Sequence, residues 1–145
     1  IEQVGTPLDI YGDPVSHFVA DFFGSPSMNL IPGEVAREGG QTRFRCQGLT
    51  VELPPSLAGA PAGRATVGFR PEHLAVTGDG GVFRGEVRLV EPLGKDTLLY
   101  FDHGGERPLI AVVEGLRNFR EGDVLGVSVN SDRLYLFGAD GKRIR

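Results

Sequence analysis

Glycine and proline interrupt this chain so often that few stretches are left long enough for a regular helix. The 145 residues include 22 glycines and 10 prolines, and between these breakers lie short runs in which apolar and polar side chains alternate. Alternation with a period of two is the signature of strands with one covered face, and frequent turns between such runs favour a barrel or sandwich. Gly39-Gly40, between Glu34–Arg37 and Gln41–Gln47, matches the positive φ that tight hairpins demand. Leu49–Leu53 continues that meander. Altogether about eight or nine short strands are expected, at the spacing of closed or sandwiched β folds.

The exception is the beginning. Thr6-Pro7 and Asp13-Pro14 each pair a capping side chain with a proline at the first helical position. After the second, Val15, Phe18, Val19, Phe22 and Phe23 fall on one stripe of an amphipathic helix. Gly24 supplies a left-handed cap and Pro26 stops the chain from continuing helically. Two short N-terminal helices are therefore expected ahead of a β domain.

At the centre, Ala65–Phe69 reads as a strand that Pro71 must end, because proline removes a ladder donor and holds Arg70 extended. Leu74–Thr77 is extended again, so Arg70–His73 is a tight corner. Downstream, Phe83, Gly85, Val87 and Leu89 alternate with Arg84, Glu86, Arg88 and Val90, which predicts an apolar face and a mostly charged face. Pro92–Asp96 is a turn. Leu98–Phe101 and Leu109–Val113 are apolar on both faces and should be covered.

Little of this points to chemistry. Cys46 is the only cysteine, which removes disulfides and cysteine clusters within one copy. No Gly-rich loop ending in Lys-Ser/Thr occurs, so the chain has no phosphate cradle of that kind. No apolar run approaches the roughly 20 residues of a membrane span, no basic-then-apolar leader is present, and the chain reads as a cytosolic type. The net charge is −4, and Glu2, Asp9, Asp13 and Asp21 lie in the first 33 residues, which contain no Lys or Arg. Arg43-Phe44-Arg45 is the one basic triplet built around an aromatic. The remainder of the chain is charge-balanced, and nucleic-acid binding needs a concentrated basic face.

Three separated motifs carry a resemblance: Gly24-Ser25-Pro26-Ser27-Met28-Asn29-Leu30, Gly68-Phe69-Arg70-Pro71-Glu72-His73-Leu74, and Val90-Glu91-Pro92-Leu93-Gly94-Lys95-Asp96-Thr97-Leu98. In this order they resemble the C-terminal regulatory part of ATP-binding subunits of carbohydrate-type ABC importers, the maltose and sn-glycerol-3-phosphate branch. Phe69 stands where that family usually has isoleucine. The resemblance implies a mainly β, OB-fold-like Greek-key barrel of the transport-associated kind over the portion after Arg64. Residues 34–53 would be additional strands packed on it.

The same resemblance makes residues 1–24 the tail of an ATPase domain with hinge helices, and 25–145 the regulatory domain. It implies a non-catalytic module that holds a homodimer of ATP-binding subunits, meets the membrane subunits only through the ATPase domain, and receives a regulatory protein. No cofactor is implied for these residues, since ATP and Mg²⁺ belong to the ATPase domain, and the expected location is the cytoplasmic face of the membrane. By position in the motifs, the candidate contact residues are Leu30, Arg70, Glu72, His73, Glu91 and Gly94. The partly charged strand face at Arg84–Arg88 is the expected dimer contact. A rival reading, a small-ligand or oxyanion-binding β module, would draw on Thr97 and Ser128.

Overall fold

The computed structural model describes residues 28–46, 49–77, 83–104, 107–115 and 118–145, and the two expected N-terminal helices lie outside them. The described residues form eleven strands in two antiparallel sheets. These are β1 (Asn29–Glu38), β2 (Gln41–Cys46), β3 (Leu49–Glu52), β4 (Gly63–Phe69), β5 (Leu74–Thr77), β6 (Phe83–Leu93), β7 (Asp96–Asp102), β8 (Leu109–Glu114), β9 (Val124–Val129), β10 (Tyr135–Gly138) and β11 (Arg143–Ile144). One sheet has the order β11-β10-β4-β1-β2-β3 and the other β5-β9-β6-β7-β8.

The hairpin expected at Gly39-Gly40 is present, with φ of 58° and 81° at the two glycines between β1 and β2. Positive φ at both central residues is the type I′ pattern. The first strand, expected from Glu34, begins instead at Asn29, so Pro32-Gly33 lies inside β1. Pairing of β1 with β2 begins only at Glu34, so at Pro32 the strand has β4 alone as neighbour, and a missing donor is tolerated at such an edge. At Gly33 a Cβ would come within 2.6 Å of Phe44 Cζ. The absent side chain is what lets β2 close down on β1.

The assignment of strands to layers also differs from expectation. Residues 29–52 are not extra strands laid on a barrel. They pair with β4 and, through it, with β10 and β11 to make a full sheet. The five-stranded sheet draws only on residues 74–129, and its two edge strands, β5 and β8, come against each other, so the sheet curls round on itself. The physical reason is the two corners. The 3-10 turns Pro71–His73 and Ser131–Arg133 each pass the chain from one sheet to the other, and alternation along a strand says nothing about which sheet receives it.

One core serves both sheets. Ile31, Val35, Phe44, Val67 and Phe69 of the first sheet and Val87, Leu99, Phe101, Ala111 and Val127 of the second belong to one buried cluster. A smaller cluster joins Met28, Tyr135 and Phe137, with Leu30 against it. Met28 fills the space above Gly68, where its Sδ lies 2.5 Å from the position a Cβ would take.

Candidate interaction site

The corner is built from the backbone outward. Arg70 is extended (φ −69°, ψ 140°), as the following proline requires, and the His73 amide donates to the Arg70 carbonyl at 2.9 Å. Within this turn Arg70 is fully buried, Glu72 is exposed and His73 half-buried. An arginine at 0 % exposure is among the largest buried side chains of the protein. A charged group is buried only where its surroundings compensate it, so Arg70 belongs to the corner's construction and presents nothing to a partner.

His73 reaches the second corner. The Arg133 guanidinium lies 3.3 Å from His73 Nε2, and the Asn130 amide donates to the His73 carbonyl at 3.4 Å. A guanidinium can only donate, so the contact needs a neutral imidazole with a lone pair on Nε2. Burial holds the His73 pKa below its ordinary value, the Arg133 charge lowers it further and Arg70 adds to this, while Glu72 acts in the opposite direction. The two passages between the sheets are thus tied side by side. Arg133 carried no motif signal, because its partner lies 60 residues away.

A second tie was equally hidden. Asn29 is 5 % exposed, and its carboxamide pairs twice with one residue of β8, donating to the Ile110 carbonyl at 2.8 Å and accepting from the Ile110 amide at 2.7 Å. The side chain imitates a neighbouring strand at the edge of the second sheet. The motif containing Asn29 is where the chain enters the described fold, and this contact fastens β1 to the opposite sheet. Met28 and Leu30 flank it on the small cluster around Tyr135 and Phe137.

Glu91 and Gly94 lie on a different part of the surface. Both are exposed, Glu91 opposite Leu98 and Gly94 in the two-residue turn between Leu93 and Asp96. Gly94 has φ 61° and no non-glycine among the described residues has positive φ, which together give the type II′ hairpin pattern. Nothing lies within 4 Å of where its Cβ would be. Of the six candidates, then, Arg70, Glu72 and His73 share one turn, which packs against β8. Leu30 is half-buried, across the ladder from Gly68.

The charged face expected at Arg84–Arg88 is largely satisfied within the chain. Arg88 pairs with Glu86 at 2.9 Å and with Asp102 at 3.1 Å. The Gly104 amide and Arg88 together hold the Asp102 carboxyl below the usual carboxylate range. Arg88 also marks a β-bulge, where the register against β7 shifts between Val87 and Leu89. A bulge re-aims the side chains beyond it. Val87 is buried at 0 %, but Leu89 is 44 % exposed, and Val90 packs against the core instead. The alternation read from the sequence therefore reverses at Arg88.

The other sequence candidates are accounted for by structure. Phe44 is 0 % exposed, so Arg43-Phe44-Arg45 offers no ring for base stacking, and Arg45 pairs with Glu38. Thr97 is buried and its hydroxyl donates to the Gly115 carbonyl at 3.2 Å. Ser128 lies on β9, separated from β7 by β6, so the two do not share a strand pair. Burial raises the Cys46 thiol above its ordinary pKa, which makes it a poor nucleophile.

Two domain families match the chain in succession. Residues 24–74 match the MalK OB fold domain and residues 67–137 the TOBE domain. The matches overlap on the corner, one of the two segments through which the chain passes between the sheets. The chain belongs to this family of OB and TOBE domains.

Among curated proteins it is similar to the alpha-glucoside transport ATP-binding protein AglK of Rhizobium meliloti, 39% identical with 100% of this chain and 41% of AglK covered. It is similar as well to the sn-glycerol-3-phosphate import ATP-binding protein UgpC of Cupriavidus metallidurans (37%, 99% of this chain and 41% of that protein). The lactose transport ATP-binding protein LacK of Rhizobium radiobacter matches at 38%, over 100% of this chain and 42% of LacK. The chain thus spans about two fifths of the length of these relatives. A solved structure of the cytoplasmic molybdate-binding protein ModG has the same fold, with TM-score 0.56 at 12% identity over 74% of this chain and 94% of that one.

Proposed function

We propose that this chain is the C-terminal regulatory portion of an ATP-binding subunit of an ABC importer for sugars or sn-glycerol-3-phosphate. The observation that carries the reading is the match of the whole chain, at similar identity, to ATP-binding proteins whose named cargoes are an alpha-glucoside, a glycerol phosphate and lactose. Relatives that share this portion while differing in cargo assign it a role common to all of them. Cargo choice falls elsewhere. Residues 25–145 form the regulatory domain in this reading and residues 1–24 the end of the ATPase domain.

The complete subunit binds ATP with Mg²⁺ and hydrolyses it at the cytoplasmic face of the membrane, in contact with the membrane subunits through its ATPase domain. In this reading the nucleotide site belongs to the ATPase domain, and the sequence of this chain holds no Gly-rich phosphate loop. Its contribution is to hold two copies of the subunit together and to take the signal of a regulatory protein. A contact outside the moving ATPase halves keeps their effective concentration high while they open and close. A regulator that favours one arrangement shifts the population by its differential affinity.

The test is to compare the complete subunit with a version ending before residue 28. The shortened subunit is expected to keep ATP binding and to lose its stable pairing in sedimentation equilibrium. ATP binding by residues 28–145 alone, or unchanged pairing without them, would overturn the reading.

A further inference from the structure

The two passages between the sheets are tied by a side-chain contact whose chemistry depends on one proton. The turn Pro71–His73 carries the chain from the first sheet to the second, and Ser131–Arg133 carries it back. Between them the Arg133 guanidinium lies 3.3 Å from His73 Nε2. A guanidinium offers only donors, so Nε2 must present its lone pair and the ring proton sits on Nδ1. Nδ1 is buried and finds no hydrogen-bond partner among the described residues. A buried donor without a partner detracts from stability. The corners are therefore joined by a contact that one further proton is enough to reverse.

Protonation would set an Nε2–H donor against the guanidinium and a positive ring beside a positive side chain. Burial opposes the charged ring most, Arg133 on the second corner opposes it next and Arg70 adds to both, while the exposed Glu72 acts in its favour. Asp132 precedes Arg133 in the second turn. The strands that adjoin the corners on the side of the second sheet, β5 and β9, carry no charged residue. β8, which packs against the first turn, carries only Glu114, at its end. The surroundings thus hold the ring neutral without a carboxylate bonded to it.

We propose that the two corners form a proton-operated latch between the sheets, closed while His73 is neutral and released when the ring is protonated. On release the half-buried His73 and the exposed Arg133 move apart into solvent. The backbone bonds beside the contact loosen with it, from the Asn130 amide to the His73 carbonyl at 3.4 Å and from the His73 amide to the Arg70 carbonyl at 2.9 Å. The shared core and the Asn29–Ile110 pair stay in place, so the sheets remain together while the corners open. A local opening of this kind takes less free energy than unfolding the whole domain. The opened ring returns toward the ordinary histidine pKa of about 6.5, so the latch is fully closed above that value and loosens as the pH falls through the lowered folded value. The latch stands on the corners alone, whatever transporter the chain serves.

Amide hydrogen exchange of the intact chain, compared between about pH 7.5 and about pH 5.5 and corrected for the intrinsic chemical rate, reads the latch directly. Opening at the Asn130 and His73 amides is expected to rise at least about threefold toward the lower pH. Low urea should leave exchange at these two amides almost unchanged, the mark of an opening that exposes little surface. The amide of Phe101, buried in the shared core, is the reference for unfolding of the whole domain. His73→Gln keeps a neutral acceptor for Arg133 and removes the titration, so the corner amides should lose their pH dependence. Arg133→Gln removes the opposing charge, and NMR titration of the His73 ring should move upward. Neither side chain belongs to a core cluster, and circular dichroism should show both variants folded.

Equal opening of the corner amides at the two pH values, or a rise that persists in His73→Gln, overturns the proposal. A His73 ring titration that Arg133→Gln leaves in place overturns it as well. So does a rise at the corner amides that follows urea as steeply as the Phe101 amide does, because the proton would then act on the whole fold and not on a latch.

Discussion

The corner at residues 70–73 and the hairpin at residues 91–94 are equally dense in charged residues, glycine and proline, yet they are used in opposite ways. At the corner Arg70 is fully buried, His73 is bonded to the neighbouring corner, and only Glu72 is exposed to solvent. At the hairpin Glu91, Pro92, Leu93, Gly94 and Lys95 are all exposed. A dense polar motif therefore does not by itself mark a contact surface. It is spent inward where the chain must change sheets, and outward where a hairpin projects beyond its neighbours.

Arg70→Ala is the sharpest way to break the comparison. It deletes one of the largest buried side chains and leaves its surroundings without their charge, so a loss of about 3 kcal/mol or more is expected in urea unfolding. A loss below about 1 kcal/mol would show that the corner is not a structural element. Asn29→Ala comes next. It leaves the Ile110 amide and carbonyl without their side-chain partner and is expected to cost about 1–3 kcal/mol. Hydrogen exchange should locate the damage, with the Ile110 amide losing protection before the amides of β6.

The corner and the Gly-Gly hairpin were legible because their information is local. Proline dictates the backbone at Arg70, and two adjacent glycines fit the type I′ turn whatever surrounds them. The contact of Asn29 was not legible, because its partner is 81 residues along the chain and nothing in the spacing of the two announces a pairing. The bulge at Arg88 was invisible for a different reason. Val87, Arg88, Leu89 and Val90 continue a plausible alternation, and the extra residue shows only against the register of β7. The division into two sheets failed likewise, since β4 and β10 look no different from strands of the barrel. Candidate contact residues chosen by motif thus mixed a buried arginine with exposed hairpin positions.

The His73–Arg133 contact gives a smaller, pH-dependent effect. The folded protein holds the His73 pKa below its ordinary value, chiefly by burial and then by Arg133. The unfolded chain therefore takes up a proton first as the pH falls. Stability is complete above the ordinary histidine pKa of about 6.5 and declines as the pH falls from there through the lowered folded value. Glu72 faces the same ring and reduces the shift, while Arg70 adds to it. His73→Gln should flatten this part of the stability profile measured by urea unfolding between about pH 5 and 8. A profile unchanged by the substitution would show that the tie between the corners does not depend on protonation.

The smallest effect is expected at the tip of the hairpin. Leu93 is 47% exposed and belongs to no core cluster, so Leu93→Ser should change unfolding stability by less than about 0.5 kcal/mol. A leucine that contributes almost nothing to the fold, at an exposed hairpin position, is where contact and stability can be separated. Stability within that margin, together with altered association, assigns the hairpin to contact. A loss of more than about 1 kcal/mol would instead mean that the exposed hairpin side chains support the sheet, and the contrast between corner and hairpin would collapse into two kinds of structural residue.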